Sequence, residues 1–330
     1  MSIQDEFCCR DCNVILKQCQ GYCICPVCAK QYPVIEGIPV FIRGLTAEQK
    51  ENKCCTDELF PGEAVRQGDS LNPTTLYDRM PERYLALFGE DPQIKRVLDL
   101  GCGDGMVTLS IVRHKNFIRE VCGLDISLKA LSNFRRNYLK QKVDKKITLL
   151  CSTAEKMFLP DNCFDAVVCN KFIHHLPLAP LLEEVRRVLK PGGYFISLRE
   201  PHRNQFTTYF RMGYYTCINM ASFIIQRIIK NRRYAGGLVH QIDTKKYIYS
   251  SGVVRKSLGK YGFGRCNFYL SKFIFPFTKM FLYPLSLKFP GARPYFESVI
   301  KLAYDLDVRI LEKIVFKGLL QEISFCARKL

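Results

Sequence analysis

Val97-Leu98-Asp99-Leu100-Gly101-Cys102-Gly103-Asp104-Gly105 decides the fold. Four mostly apolar residues read as a buried strand, and three glycines at alternate positions then let the backbone turn tightly and approach a ligand closely. The helix expected over residues 106–113 opens directly on that turn, with unpaired N–H groups at its start. Twenty residues beyond the last glycine, Glu120-Val121-Cys122-Gly123-Leu124-Asp125 reads as a second strand ending in a carboxylate suited to a pair of ribose hydroxyls. Together they predict a cradle for a nucleoside-type ligand. A dinucleotide fingerprint does not fit, because position 106, where G-x-G-x-x-G needs its third glycine, is Met.

Outward from this centre the pattern alternates strand and helix. Strands are expected over 96–100, 120–124, 147–151, 166–169 and 194–198, with helices over 106–113, 128–140 and 181–189. Such alternation predicts a parallel sheet covered on both faces, whose ligands bind at the carboxyl ends of the strands. Ser127 suits the N-cap of the second helix, and Pro191-Gly192-Gly193 reads as the stop of the third. Toward the end of the chain, 244–261 reads as a helix, 265–271 as a sixth strand and 321–328 as a seventh.

These segments resemble class I S-adenosylmethionine-dependent methyltransferases of the small-molecule kind known as type 11. The resemblance rests on residues 97–105, Asp125, residues 159–169, His174-His175-Leu176 and Leu189-Lys190-Pro191-Gly192-Gly193, and covers residues 93–200. It implies an α/β, Rossmann-like seven-stranded sheet with helical insertions, and S-adenosyl-L-methionine as cofactor. It places cofactor contacts at Asp99, Gly101, Cys102, Gly103, Gly105, Asp125, Ile126, Thr153, Ala154, Glu155 and Asn170. Family members usually carry an acid where this chain has Thr153. The hydroxyl of Thr153 can still accept from the adenine amino group, and Glu155 is the nearest substitute. His174, His175 and, beyond the fifth strand, His202 are the candidate bases, since imidazole titrates near neutrality. In the family the His-rich segment often packs beside the cofactor without moving protons, so both roles stay open. Glu200 is a second candidate at the strand end.

Seven cysteines crowd residues 8–28, four of them as Cys9-x2-Cys12 and Cys25-x2-Cys28. Each pair aims two sulfurs at one point, and four thiolates close a tetrahedral zinc with no site left for water, which makes the metal structural. A segment this short needs such a staple. Cys8 could replace Cys9, and Cys23 could replace Cys25. With Tyr32-Pro33-x3-Gly37-Ile38-Pro39 downstream, residues 5–43 resemble the zinc ribbon that serves some methyltransferases as an activator subunit, and a docking role toward a protein partner stays open. The expected organisation is a ribbon over 1–45, a linker with cap helices over 46–92 (one near 81–88, with Tyr77, Arg79 and Tyr84 as substrate-side candidates), and the methyltransferase domain over 93–330.

The 17 cysteines, without a signal-like amino terminus, point to a reducing cytoplasm. Charge is uneven: residues 1–200 hold 27 Lys+Arg against 25 Asp+Glu, while 201–330 hold 22 against 6 and 24 of the 40 aromatics. Positive charge with aromatic bulk suits RNA, a membrane surface touched peripherally, or an amphipathic or lipid-linked substrate, although a solvated basic face explains it too. Insertions over 206–234 and 274–318 read as hydrophobic lids or bilayer-facing segments, and their charges do not favour a membrane span. The expected activity is methyl transfer to a hydrophobic or amphipathic small molecule. Against its rival, RNA methylation, no Asn/Asp-Pro-Pro-Tyr/Phe run follows the fourth strand, which continues Asn170-Lys171-Phe172-Ile173. A non-catalytic cofactor-binding scaffold is the third reading.

Overall fold

A computed structural model describes residues 3–42, 44–59, 91–139, 146–201, 247–271, 291, 293–306 and 322–330 of the 330-residue chain. Two compact units share the chain: Met1–Leu198 with Arg255–Asn267 and Phe325–Leu330, and Arg199–Val254 with Phe268–Ser324. The first begins with short strands β1 (Cys8–Cys9), β2 (Val14–Ile15), β3 (Lys17–Cys19), β4 (Tyr22–Ile24), β5 (Gln31–Ile35) and β6 (Ile38–Pro39), then helix α1 (Ala47–Leu59). The core follows: β7 (Arg96–Leu100), α2 (Met106–His114), β8 (Glu120–Asp125), α3 (Leu128–Leu139), β9 (Lys146–Cys151), β10 (Phe164–Asn170), α4 (Leu178–Val188) and β11 (Leu189–Pro201). Helix α5 (Ser251–Lys260), β12 (Phe263–Ser271), α6 (Arg293–Leu306) and β13 (Glu322–Lys329) complete the described elements.

Seven strands form one sheet in the order β12-β13-β11-β10-β7-β8-β9. From β11 to β9 every neighbouring pair is parallel. The central strands are apolar almost throughout because helices cover both faces: Val97, Leu98 and Leu100 of β7, Val121 and Leu124 of β8, and Val167 and Val168 of β10 are all buried. The chain runs outward from β7 through β8 to β9, then returns to lay β10 on the other side of β7. That reversal leaves a crevice at the carboxyl ends of β7 and β10, where open α/β sheets take ligands.

Three sequence expectations shift. Helix α4 starts at Leu178 and not at 181, with Pro180 in its first turn, where the missing N–H has no partner to lose. The segment Pro191-Gly192-Gly193 does not stop that helix, which ends at Val188. Instead it bulges out of β11: Leu189 pairs with Phe164 and Tyr194 with Ala166, so four residues sit opposite the single Asp165. Gly192 takes φ +76° there, and a Cβ on Gly193 would stand 2.9 Å from the Lys190 carbonyl. Helix α5 begins at Ser251 and not at 244, because Ser250 caps it, its Oγ accepting from Val253 N–H at 3.3 Å. The insertions over 206–234 and 274–318 lie outside the described residues, apart from position 291 and α6 in the second. So do Tyr77, Arg79, Tyr84 and the helix expected near 81–88.

The amino-terminal strands pack directly on the core. Phe41 stacks on Phe158 with centroids 4.5 Å apart, and Tyr32 meets both rings edge-on. The Arg96 guanidinium holds both oxygens of Glu6 at 2.9 and 3.0 Å. Phe41 N–H donates to Cys151 O at 2.8 Å and Val40 bridges Cys151 in parallel, so this module covers the edge that β9 would otherwise expose.

In the second unit, Arg199 N–H donates to Ser324 Oγ at 2.9 Å, its guanidinium faces Glu322, and α6 leaves Tyr295 and Leu302 exposed.

Candidate functional site

The glycine turn closes on itself and on the next strand. Gly101 and Cys102 N–H both donate to Leu124 O, at 2.8 and 3.1 Å, and Gly105 N–H donates to Cys102 O at 2.9 Å. Gly101, Gly103 and Gly105 take φ of +67°, +54° and +86°. A Cβ on Gly101 would lie 2.2 Å from the Phe172 ring, and one on Gly105 2.2 Å from Phe134. Gly101 and Gly105 are therefore required by conformation and by space together.

Asp125 joins this turn to the end of β8. Its Oδ2 accepts from Gly103 N–H and its Oδ1 from Ser127 N–H, each at 2.9 Å. Each oxygen keeps a further lone pair, so a diol can be received without breaking the anchor. Burial pushes the Asp125 carboxyl up to about 6, against the pull of those N–H donors. Asp99, two residues before the turn, is buried beneath it and accepts from Thr108 Oγ1 at 2.5 Å. Burial raises it to about 7, with Asp125 adding to the shift and Thr108 opposing it. Its geometry ties β7 to α2. Ser127 caps α3, its Oγ accepting from Ala130 N–H at 3.0 Å.

The other predicted residues lie on neighbouring loops at the same edge. Thr153 and Glu155 are half-buried and Ala154 is buried just beyond β9, where Ser152 N–H donates to Asp125 O at 3.1 Å. Ile126 follows Asp125, and Asn170 ends β10, whose Cys169 pairs with Leu100. His174 and His175 occupy a 3-10 turn after β10 with ring centroids 4.1 Å apart, His174 buried. His202 lies outside the described residues. Glu200 is buried, in the second unit.

Sequence reasoning missed the reach of α1. Gln49 Nε2 donates to Glu155 Oε1 at 3.4 Å, Asn52 Nδ2 to His175 O at 3.1 Å, and the Ser127 hydroxyl to Asp57. One helix thus touches the loops after β8, β9 and β10. A capping box, Thr46-x2-Gln49, was its legible signal: Thr46 N–H donates to Gln49 Oε1 and Gln49 N–H to Thr46 Oγ1.

At the amino terminus, the Sγ atoms of Cys9, Cys12, Cys25 and Cys28 all lie within 4.8 Å of one another, with Cys9 and Cys28 at 3.9 Å. Tetrahedral zinc with bonds of about 2.3 Å sets its sulfurs about 3.8 Å apart, so the donor set fits that ion. The two turns match: Asn13 N–H donates to Cys9 O and Ala29 N–H to Cys25 O, and both residues have positive φ. Cys8 points elsewhere, toward Cys9 O and Asn13 Oδ1, and Cys23 is buried outside the cluster.

Residues 98–197 match the family model described as a methyltransferase domain. A demethylmenaquinone methyltransferase of Symbiobacterium thermophilum is 34% identical over 120 residues, 36% of this chain and 47% of that protein. A sterol 24-C-methyltransferase of Gibberella zeae is 38% identical over 116 residues, 34% of this chain and 30% of that protein. The chain thus spans less than half the length of either relative. Among solved structures, geranyl diphosphate C-methyltransferase from Streptomyces coelicolor superposes with a TM-score of 0.52 at 13% identity, covering 87% of this chain and all of that one, which shows a shared fold. Residues 98–197 are thus similar to a methyltransferase domain.

Proposed function

We propose that this chain transfers a methyl group from S-adenosyl-L-methionine to a hydrophobic or amphipathic small molecule, and that its amino-terminal ribbon holds a structural zinc through Cys9, Cys12, Cys25 and Cys28. The observation that carries the reading is the glycine turn bonded to Asp125 at the crevice between β7 and β10, within the matched domain. The cofactor, when bound, supplies a methyl group already activated on a sulfonium.

What the chain contributes is position and exclusion of water. Asp125, anchored by two backbone N–H groups, receives the ribose hydroxyls. Glycines 101, 103 and 105 let backbone approach the ligand. Thr153, Ala154 and Glu155 line the adenine side, and α1 covers the loops. A hydroxyl acceptor needs a base, for which His174 and His175 stand after β10; a carbon acceptor does not.

Two relatives are named for lipophilic acceptors, demethylmenaquinone and a sterol, which supports the substrate class. Among the described residues no helix is long and apolar enough to cross a membrane; contact with lipid is proposed at the surface. The test is incubation with methyl-labelled S-adenosylmethionine and a host extract. Label in the organic-extractable fraction is expected. Label in RNA would replace this reading with nucleic-acid methylation by the basic region, and cofactor binding without turnover would point to a scaffold.

A further inference from the structure

Arg10 and Asp11 fill the two positions between the ligand cysteines Cys9 and Cys12. Both reach the core at one place. Asp11 Oδ1 accepts from Lys156 Nζ at 2.8 Å, and its Oδ2 from Lys30 Nζ at 2.6 Å, so a residue flanking the second knuckle converges on the same carboxylate. Arg10 Nη2 donates to Glu184 Oε1 at 2.8 Å, and Glu184 Oε2 accepts the N–H of Met157 at 2.7 Å. Lys156 and Met157 directly follow Thr153, Ala154 and Glu155, the adenine-side residues of the proposed cofactor site.

The other side of that loop is held by the same module. Phe41 N–H binds Cys151 O just before it, Cys8 N–H donates to Phe158 O at 3.0 Å just after it, and Phe41 stacks on Phe158. Residues 152–158 are thus gripped at both ends by a module of about 40 residues, a size whose own core is too small to keep its shape without a staple. The staple is the four-thiol cluster. On the proposed zinc reading, metal removal would free the knuckle that carries Arg10 and Asp11, and with it the loop.

We propose that zinc in the ribbon and the cofactor in the core bind cooperatively, with Arg10 and Asp11 as the positioning residues that transmit the effect through residues 152–158. This rests on the functional reading above and names a regulation of that site. Cooperativity of this kind is reciprocal: whatever factor zinc adds to cofactor affinity, the cofactor adds to zinc retention.

The test uses the full-length zinc-loaded protein and S-adenosyl-L-homocysteine as probe. Calorimetry gives its affinity before and after zinc removal, and a chelating dye follows zinc release with and without it. Variants Arg10→Met and Asp11→Asn keep all four thiols. Arg96→Met is the control, since it cuts an equally close ion pair between ribbon and core at the opposite, amino end of β7. The expected result is weakening of the probe by about fivefold or more on zinc loss, equivalent to about 1 kcal/mol, matching protection of zinc by the probe, and loss of that coupling in the Arg10 and Asp11 variants but not in Arg96→Met. If zinc and probe both bind and ignore each other, the proposal fails and the functional reading stands. If Arg96→Met loses the coupling equally, ribbon docking in general and not these two residues is responsible, and the assignment fails. Absence of bound zinc or of probe binding would overturn the functional reading and this inference together.

Discussion

Gly105→Ala should be severely destabilising, and the structure says by how much. Gly105 precedes α2 at φ +86°, where a side chain costs about 1–2 kcal/mol in backbone energy. The new methyl would stand 2.2, 2.3 and 2.4 Å from Cε2, Cδ2 and Cζ of Phe134. That ring is fully buried in a cluster with Ile38, Cys102, Leu109, Leu131, Leu149 and Cys151, so it cannot swing away without displacing others. Overpacking adds about 1–3 kcal/mol, for a total of about 2–5 kcal/mol. At about 2 °C per kcal/mol for a chain of this size, Tm should drop by roughly 4–10 °C. Thermal denaturation of Gly105→Ala, Phe134→Leu and the double variant separates the parts. In the Phe134→Leu background the cost of Gly105→Ala should shrink to the backbone share, about 1–2 kcal/mol. A single variant within about 1 °C of the parent, too small for even the backbone share, or a full cost that persists in the double variant, would refute the reasoning.

Other outcomes follow from single sites. Gly259, exposed in α5 with no atom within 4 Å of where a Cβ would stand, should give the opposite sign: Gly259→Ala is expected to stabilise by about 0.5–1 kcal/mol, checked by urea denaturation. Asp99 is raised in the fold from 3.8 to about 7, so its contribution to stability is fully present below about pH 4 and lost as pH rises through 7. Asp99→Asn should therefore flatten the stability profile between pH 4 and 7 and raise the unfolding free energy at pH 8 by an amount on the order of 3 kcal/mol or less; an unchanged profile would show that Asp99 ionises freely. Ala29 sits at φ +55° after the second knuckle, and Ala29→Gly should relieve up to about 1 kcal/mol and slow zinc release, where faster release would contradict the knuckle geometry.

Much of the sheet was legible because its signals are local. Buried apolar runs marked β7, β8 and β10 to within a residue or two, and the alternate glycines marked the turn that joins β7 to α2. Where the sequence misled, the deciding interaction was long-range or positional. The helix expected from 181 starts at Leu178, with Pro180 tolerated in its first turn, and Pro191-Gly192-Gly193 reads as a stop although β11 carries it in a bulge opposite Asp165. The four thiols could be chosen by spacing alone, but Cys8 and Cys23 could be set aside only once their side chains were placed. No pattern in one dimension reveals that Arg10 reaches Glu184, 174 positions away, or that Asp11 meets Lys156. Gln49, Asn52 and Asp57 escaped notice for the same reason: a polar helix looks like a linker until its three partner loops come together.

The glycine turn and Asp125 are proposed to hold S-adenosylmethionine. The most direct test is calorimetric titration of the full chain with S-adenosyl-L-homocysteine, in parallel with Asp125→Ala, each checked for folding by circular dichroism. One site per chain is expected in the parent and at least about tenfold weaker binding in the variant, the loss of a charge-assisted pair of hydrogen bonds at about 1.5–3 kcal/mol. A folded parent that takes up no ligand, or a variant that binds as tightly as the parent, would contradict the proposal.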